Sequence, residues 1–203
     1  FRLAEFAYQY VDSENSGVIN ALVQAIYHNE NSGQKPLLWA SNHFSGHTHF
    51  VGSAAFSPNG KQLVTGSTDN TAKIWDLESD KVLQTIEGHA GGISSVAFSP
   101  NGKKIAVGSF DNMVRIWELQ TSKSALLLEG HIKGVNSVAF SPDGKMLATG
   151  SIDTTGKIWD LETGRELMTL NGHTSSIGHV AFSPDGKKLA TASKDYTTKI
   201  WDL

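Results

Sequence analysis

An all-β chain of four similar sheets is the fold this sequence predicts, and three observations predict it. Gly-His dipeptides stand at Gly46-His47, Gly88-His89, Gly130-His131 and Gly172-His173, 42 residues apart each time. Trp75, Trp117, Trp159 and Trp201 keep the same step. Four of the 5 prolines fall in copies of one turn, beginning with Ser57-Pro58-Asn59-Gly60. A period of about 40 to 45 residues opening on Gly-His and closing on Trp-Asp is that of a four-stranded blade, so the expected architecture is a β-propeller.

Residues 1–34 stand outside the repeat. Leu3, Phe6, Ala7 and Tyr10 share one helical face, and Val18, Ala21, Leu22, Ala25 and Ile26 share another. The cluster from Asp12 to Gly17 between them supplies a turn and capping residues. A short α-helical segment is expected here, two helices lying antiparallel, followed by a linker ending at Gln34. The run Ala7-Tyr8, Asp12, Asn15, Ala21-Leu22, Ala25-Ile26-Tyr27 is similar to the junction between two tetratricopeptide repeats, over less than one full repeat.

The blades are expected over residues 35–203, with units at about 46–77, 88–119, 130–161 and 172–203. Pro36 to Phe44 reads as an outer strand, matching Lys81–Ile86, Lys123–Leu128 and Arg165–Leu170 in the later units. After each Gly-His comes an inner strand: Val51–Phe56, Ile93–Phe98, Val135–Phe140 and Ile177–Phe182. The Ser-Pro-Asn/Asp-Gly turns follow, with proline presetting φ and glycine accepting the positive φ that closes a hairpin. Strands such as Lys145–Gly150 and Thr155–Asp160 are apolar on both faces, as sheets sandwiched between neighbours should be.

These repeats resemble the WD-repeat propeller family. The resemblance implies a hydrogen-bonded tetrad in each blade: the Gly-His histidine, a Ser/Thr on the second strand, an Asp before the third, and the Trp. Here the sets are His47, Thr65, Asp69, Trp75; His131, Thr149, Asp153, Trp159; and His173, Thr191, Asp195, Trp201. An indole only donates, a hydroxyl relays, imidazole bridges, and a carboxylate accepts, so such a chain can satisfy every member. Unit two departs: it keeps His89, Asp111 and Trp117, but Val107 replaces the hydroxyl and Glu118 stands where the others have Asp. The Trp117 indole is therefore expected to lack its acceptor.

Composition bounds the function. Hydrophobic residues are 39% and charged ones 18%, ordinary for a globular chain. A net charge of -3 gives no cationic excess for phosphate backbones or acidic lipid, so neither nucleic acid nor membrane is the expected partner. The absence of cysteine excludes disulfides, thiol catalysis and Cys-based zinc sites, and fits a soluble cytoplasmic setting. Recurring Thr, His and Asp do not make a hydrolase triad, since four copies at one period describe a building unit and a nucleophile needs one site. His43, His47 and His49 lack a nearby acidic ligand and read as structural, and the Gly-Lys pairs belong to hairpin turns. No catalytic residue, cofactor or metal is expected.

In WD-repeat proteins, partners dock on the face carrying the Gly-His loops and the tetrad-Asp turns. Carried onto this sequence, that face presents Phe50, Thr68, Phe110, Asn136, Ile152 and Lys194, interspersed with Gly52, Gly92, Ser94, Gly134, Ser176 and Gly178. The expected role is a protein or peptide recognition module; the alternative is the C-terminal sensor propeller of a larger signalling ATPase or other multidomain enzyme. Four units are few for this family. The chain is expected to be an excerpt of a longer propeller, or else to pair as a homodimer into an eight-bladed ring, with self-closure third.

Overall fold

The computed structural model describes residues 43–121 and 123–203. The helical segment expected over residues 1–34, and all of the expected 36–44 strand but its end, lie outside them.

The first sheet holds β1 (Val51–Phe56), β2 (Gln62–Ser67), β3 (Ala72–Asp76) and β4 (Val82–Ile86). The second holds β5 (Ile93–Phe98), β6 (Lys104–Ser109), β7 (Val114–Glu118) and β8 (Lys123–Leu128). The third holds β9 (Val135–Phe140), β10 (Met146–Ser151), β11 (Gly156–Asp160) and β12 (Glu166–Leu170). The fourth holds β13 (Ile177–Phe182), β14 (Lys188–Ser193) and β15 (Thr198–Asp202). Each is an antiparallel meander in chain order, four-stranded in the first three and three-stranded in the last among the described residues. This is the propeller-blade fold. The inner strands run as expected, whereas β4, β11 and β12 begin one residue late and β10 is Met146–Ser151 where Lys145–Gly150 was expected. Lys81 and Arg165 close turns instead, their carbonyls accepting from the Asp76 and Asp160 N–H groups at 2.9 Å.

The inner turns repeat one hydrogen-bond pattern. In the first, the Gly60 N–H donates to the Ser57 carbonyl at 2.9 Å, and Gly60 holds φ +66°. The Ser57 hydroxyl donates to Asn59 Oδ1 and accepts from the Gln62 N–H. Ser99, Ser141 and Ser183 do the same in their own units. These turns fix strand register by local chemistry.

The core lies between sheets. Val64, Ile74 and Ile86 of the first sheet meet Ile93, Val96 and Ile105 of the second. Val114, Ile116 and Leu128 meet Val135, Val138 and Leu147 at the next junction, and Ala148, Ile158 and Leu170 meet Ile177, Val180 and Leu189 at the third. A polar bond crosses each junction: Ser53, Ser95 and Ser137 hydroxyls accept from the Val96, Val138 and Val180 N–H groups at 3.0, 3.1 and 3.2 Å. Among the described residues, no sheet packs on the outer face of the fourth sheet. Ile74, Ile116 and Ile158 are 2, 0 and 2% exposed, whereas Ile200, their counterpart on β15, is 60% exposed.

Candidate functional site

The residues expected to form tetrads are brought together in the first, third and fourth sheets. In the third, Trp159 Nε1 donates to Thr149 Oγ1 at 2.9 Å, Thr149 Oγ1 lies 2.8 Å from His131 Nε2, and His131 Nδ1 lies 2.8 Å from Asp153 Oδ2. Indole only donates and an ionised carboxylate only accepts, which fixes the direction of the chain. The Thr149 hydroxyl donates to His131 Nε2, and His131 Nδ1–H donates to Asp153. The first sheet repeats it with distances of 2.8 Å throughout, and the fourth with 2.7 to 2.9 Å.

Each Asp does more than orient its histidine. Asp153 Oδ2 also accepts from the Ile132 N–H at 3.1 Å, and Oδ1 accepts from the Thr155 N–H and hydroxyl at 2.9 and 2.6 Å. Asp69 and Asp195 have the same partners in Thr48 with Thr71, and in Thr174 with Thr197. The carboxylate thereby ties the loop after Gly-His to the turn before the third strand. Thr71, Thr155 and Thr197 escaped the sequence reading, although they too recur at the step of 42 except where Met113 interrupts them. Ser67, Ser109, Ser151 and Ser193 were missed as well. Their hydroxyls accept from the Asp N–H and donate back to the Gly-His loop carbonyls.

The second sheet carries the break. His89 Nδ1 still reaches Asp111 Oδ2 at 2.8 Å, but with Val107 in the hydroxyl position, His89 Nε2 and Trp117 Nε1 are buried without partners. The Val107 carbonyl acts on the His89 ring without reaching hydrogen-bond geometry. Arg115 Nε is also buried and unpaired. Its counterpart Lys157 donates to Glu166 and Thr169 at 2.7 and 2.9 Å, and Leu127 replaces that threonine in the second sheet.

These networks set the protein's response to acid. Burial pushes the His89 and His131 imidazoles below their ordinary value, only partly offset by the Asp111 and Asp153 carboxylates. Burial pushes the Asp153 carboxyl upward, but the hydrogen bonds from Thr155 and His131 outweigh it and hold the group below the usual carboxylate range. Asp69 and Asp195 are likewise held well below that range, burial being overcome by the bonds from Thr71 and Thr197. In every case the folded state binds the proton more weakly than the unfolded chain. The histidine contribution is complete above about pH 6.5 and is lost as pH falls from there toward the depressed folded values. The carboxylate contribution is complete above about pH 4 and is lost below it. Melting temperature should be level at neutral pH, decline as pH drops below about 6.5, and fall more steeply below about 4. A melting temperature that rises between pH 7 and 5 would contradict this assignment.

The expected docking residues differ in their surroundings. Phe50, Phe110 and Ile152 are exposed large apolar side chains, and Thr68 and Lys194 are exposed. Asn136 departs from expectation: it is half-buried, and its Nδ2 donates to the Ile177 carbonyl of the next sheet at 2.9 Å. Two residues before it, a Cβ on Gly134 would stand 2.9 Å from Phe110 Cδ1 and 3.2 Å from Ile152 Cδ1, so side chains from successive sheets both lie against this glycine. Ile132 and Tyr196, both exposed, join this end of the molecule unforeseen. Among the described residues, no helix is long and apolar enough to cross a membrane, and no group of three or more His, Cys, Asp or Glu could hold a metal ion.

The tetrads, the blade topology and the 42-residue step are those of WD-repeat propellers. Residues 50–203 match the family described as the echinoderm microtubule-associated protein second beta-propeller. Ribosome biogenesis protein BOP1 homologs of Drosophila melanogaster and Drosophila erecta are 43% identical to this chain over 44 residues, 22% of this chain and 6% of theirs. The homolog of Aedes aegypti is 42% identical over 43 residues, 21% of this chain and 5% of its own length. Each of these likenesses has the length of a single repeat, so the relatives share a blade with this chain over a small part of their own length. With its match running through all four sheets, the chain belongs to the echinoderm microtubule-associated protein second beta-propeller family, a WD-repeat β-propeller.

Proposed function

We propose that this propeller is a protein-interaction module whose Gly-His face docks a protein or peptide by apolar anchors. The observation that supports this reading is that the exposed Phe110 and Ile152 both lie against Gly134, in the unit whose Gly-His loop carries the exposed Ile132. Contiguous apolar side chains on a rigid surface are suited to desolvated contact, and aromatic anchors commonly dominate interface energy. Rigidity comes from the tetrad. Asp153 holds the Ile132 backbone and the turn after Ile152 through one carboxylate, so little ordering remains to be done on binding. Lys194 is the single cation among the docking positions carried over from the repeat, which disfavours reading nucleic acid there.

The test is selection of a displayed random peptide library on the wild-type chain. Enriched peptides should carry aliphatic or aromatic anchors and lose about tenfold or more in affinity for Phe110→Ser/Ile152→Ser, at unchanged melting temperature. A Lys145→Ser variant, altered in a hairpin turn away from this face, should bind as wild type. Peptides that bind the double variant as well as wild type would place recognition elsewhere.

A further inference from the structure

We infer that the partner taken by the Gly-His face is an acidic peptide, whose apolar side chains lie on Phe110 and Ile152 and whose carboxylates meet Lys133 and Lys194. The inference rests on the docking reading and adds to it the sign of charge that the partner carries.

One backbone bond fixes the same position in every unit. The N–H groups of Thr68, Phe110, Ile152 and Lys194 donate to the carbonyls of Phe50, Gly92, Gly134 and Ser176 at 2.8, 3.0, 2.9 and 2.9 Å. The position in one unit also lies against the loop of the next. A Cβ on Gly92 would stand 3.0 Å from Thr68 Cα, and one on Gly134 would stand 3.2 Å from Phe110 Cα. The residues therefore form a row that steps from sheet to sheet, and the packing of β13 on β9 carries it on to Lys194. In chain order the row is polar, aromatic, aliphatic and cationic. Stacked sheets lie about 10 Å apart, the reach of about three extended residues, so a peptide of about seven residues spans the row from Phe110 to Lys194.

Lys133 joins the row from the Gly-His loop of the third sheet. Its carbonyl accepts from the Ser151 hydroxyl at 2.9 Å, and the Gly134 carbonyl accepts from the Ile152 N–H, so the backbones of residues 133–134 and 151–152 run side by side. Lys133 and Lys194 are exposed, and neither forms an ion pair among the described residues. The carboxylates of the same loops are committed. Asp153 and Asp195 side chains are 3 and 7% exposed, and both oxygens of each are saturated by donors from the histidine and the adjoining loops. A ligand reaching residues 130–134, 151–155, 172–176 and 193–197 thus meets two free ammonium groups and no exposed carboxylate. Glu129 is exposed but sits beside Gly130, whose Cβ would stand 3.1 Å from Trp159 Cη2 and 3.3 Å from Glu166 Oε2, on the side of the outer strand β12. Tyr196, fully exposed in the loop that holds Lys194, adds a hydroxyl donor. Cations set among apolar side chains complement a peptide that mixes carboxylates with apolar anchors, whereas a nucleic acid backbone calls for a longer cationic track.

A pair of displayed peptide libraries tests this. Both fix leucine or phenylalanine at two positions within about seven residues, and the flanking positions are Asp or Glu in one library and Lys or Arg in the other. The wild-type chain should enrich the acidic library and not the basic one. A synthetic peptide taken from the acidic winners should bind Lys133→Glu/Lys194→Glu about tenfold or more weaker, chiefly through slower association, and the difference should fade as salt rises toward about 1 M. Both lysines are exposed and unpaired, so this variant should melt as wild type, and it should enrich the basic library instead. Basic peptides enriched by the wild-type chain, equal enrichment of both libraries, an acidic peptide that binds the double variant as wild type, or its displacement by an equimolar single-stranded oligonucleotide would each overturn the inference. If the peptides still lose affinity for Phe110→Ser/Ile152→Ser, apolar docking stands and only the sign of the partner's charge fails. If they do not, or if neither library is enriched, the docking reading falls with it.

Discussion

Asp153→Ala should destabilise the protein by about 3 kcal/mol or more, lowering its melting temperature by roughly 6 °C or more. Four donors converge on this one carboxylate: the His131 ring, the Ile132 N–H, and the N–H and hydroxyl of Thr155. The His131 and Asp153 side chains are 1 and 3% exposed, so water cannot take over the abandoned donors without opening the loop. An ordinary buried hydrogen bond contributes about 1 kcal/mol net, but leaving its partner unsatisfied costs about 1 to 3 kcal/mol, and here several are left at once. Loss of the carboxylate also frees the His131 ring that holds Thr149 and, through it, Trp159. Denaturant unfolding followed by tryptophan fluorescence reads the change as a lower midpoint. A loss below about 1 kcal/mol would show that the network is decorative. Peptide selection on the same variant separates the two consequences of the carboxylate, since the Ile132 loop should loosen in chains that remain folded.

The repeat architecture was legible in the sequence because its punctuation is polar and periodic. Gly-His, the tryptophan and Ser-Pro-x-Gly recur at a fixed step, and each maps to a local constraint: a tetrad anchor, a tetrad donor, a hairpin turn. The strand bounds that slipped did so where a turn competes with the ladder. Lys81 and Arg165 look like strand residues, yet their carbonyls close turns on Asp76 and Asp160. Side chains that differ between units were harder to place. Ile132 aligns with Thr48, Ala90 and Thr174, and Tyr196 with Asn70, Asn112 and Thr154, so a reading built on shared residues passes over them. Asn136 failed for a different reason. Its position is exposed in outline, but the amide reaches a carbonyl on the adjoining sheet, a contact that a single repeat cannot reveal.

Val107→Thr should make the protein more stable by about 1 to 2 kcal/mol, a direction opposite to that of most buried substitutions. Threonine in a well-packed apolar site is ordinarily unfavourable because its hydroxyl is buried without a partner. At this position three partners wait. Trp117 Nε1 and His89 Nε2 are both buried and unpaired, one a donor and the other an acceptor in the tautomer that gives its Nδ1 proton to Asp111. The Arg115 carbonyl occupies the place from which the Lys73 and Lys157 carbonyls approach Thr65 and Thr149 at 3.5 and 3.4 Å. Valine and threonine have nearly the same shape, so the new hydroxyl replaces a methyl without moving the sheet. Melting should rise by roughly 2 to 6 °C, and solvent exchange of the Trp117 indole proton should slow. Thr149→Val is the reciprocal change and should lower stability by about 1 to 3 kcal/mol, by creating in the third sheet the defect that the second already carries. If Val107→Thr instead lowers the melting temperature while Thr149→Val is harmless, the indole-to-carboxylate chain does not hold these blades together, and apolar packing between sheets would have to account for their stability alone.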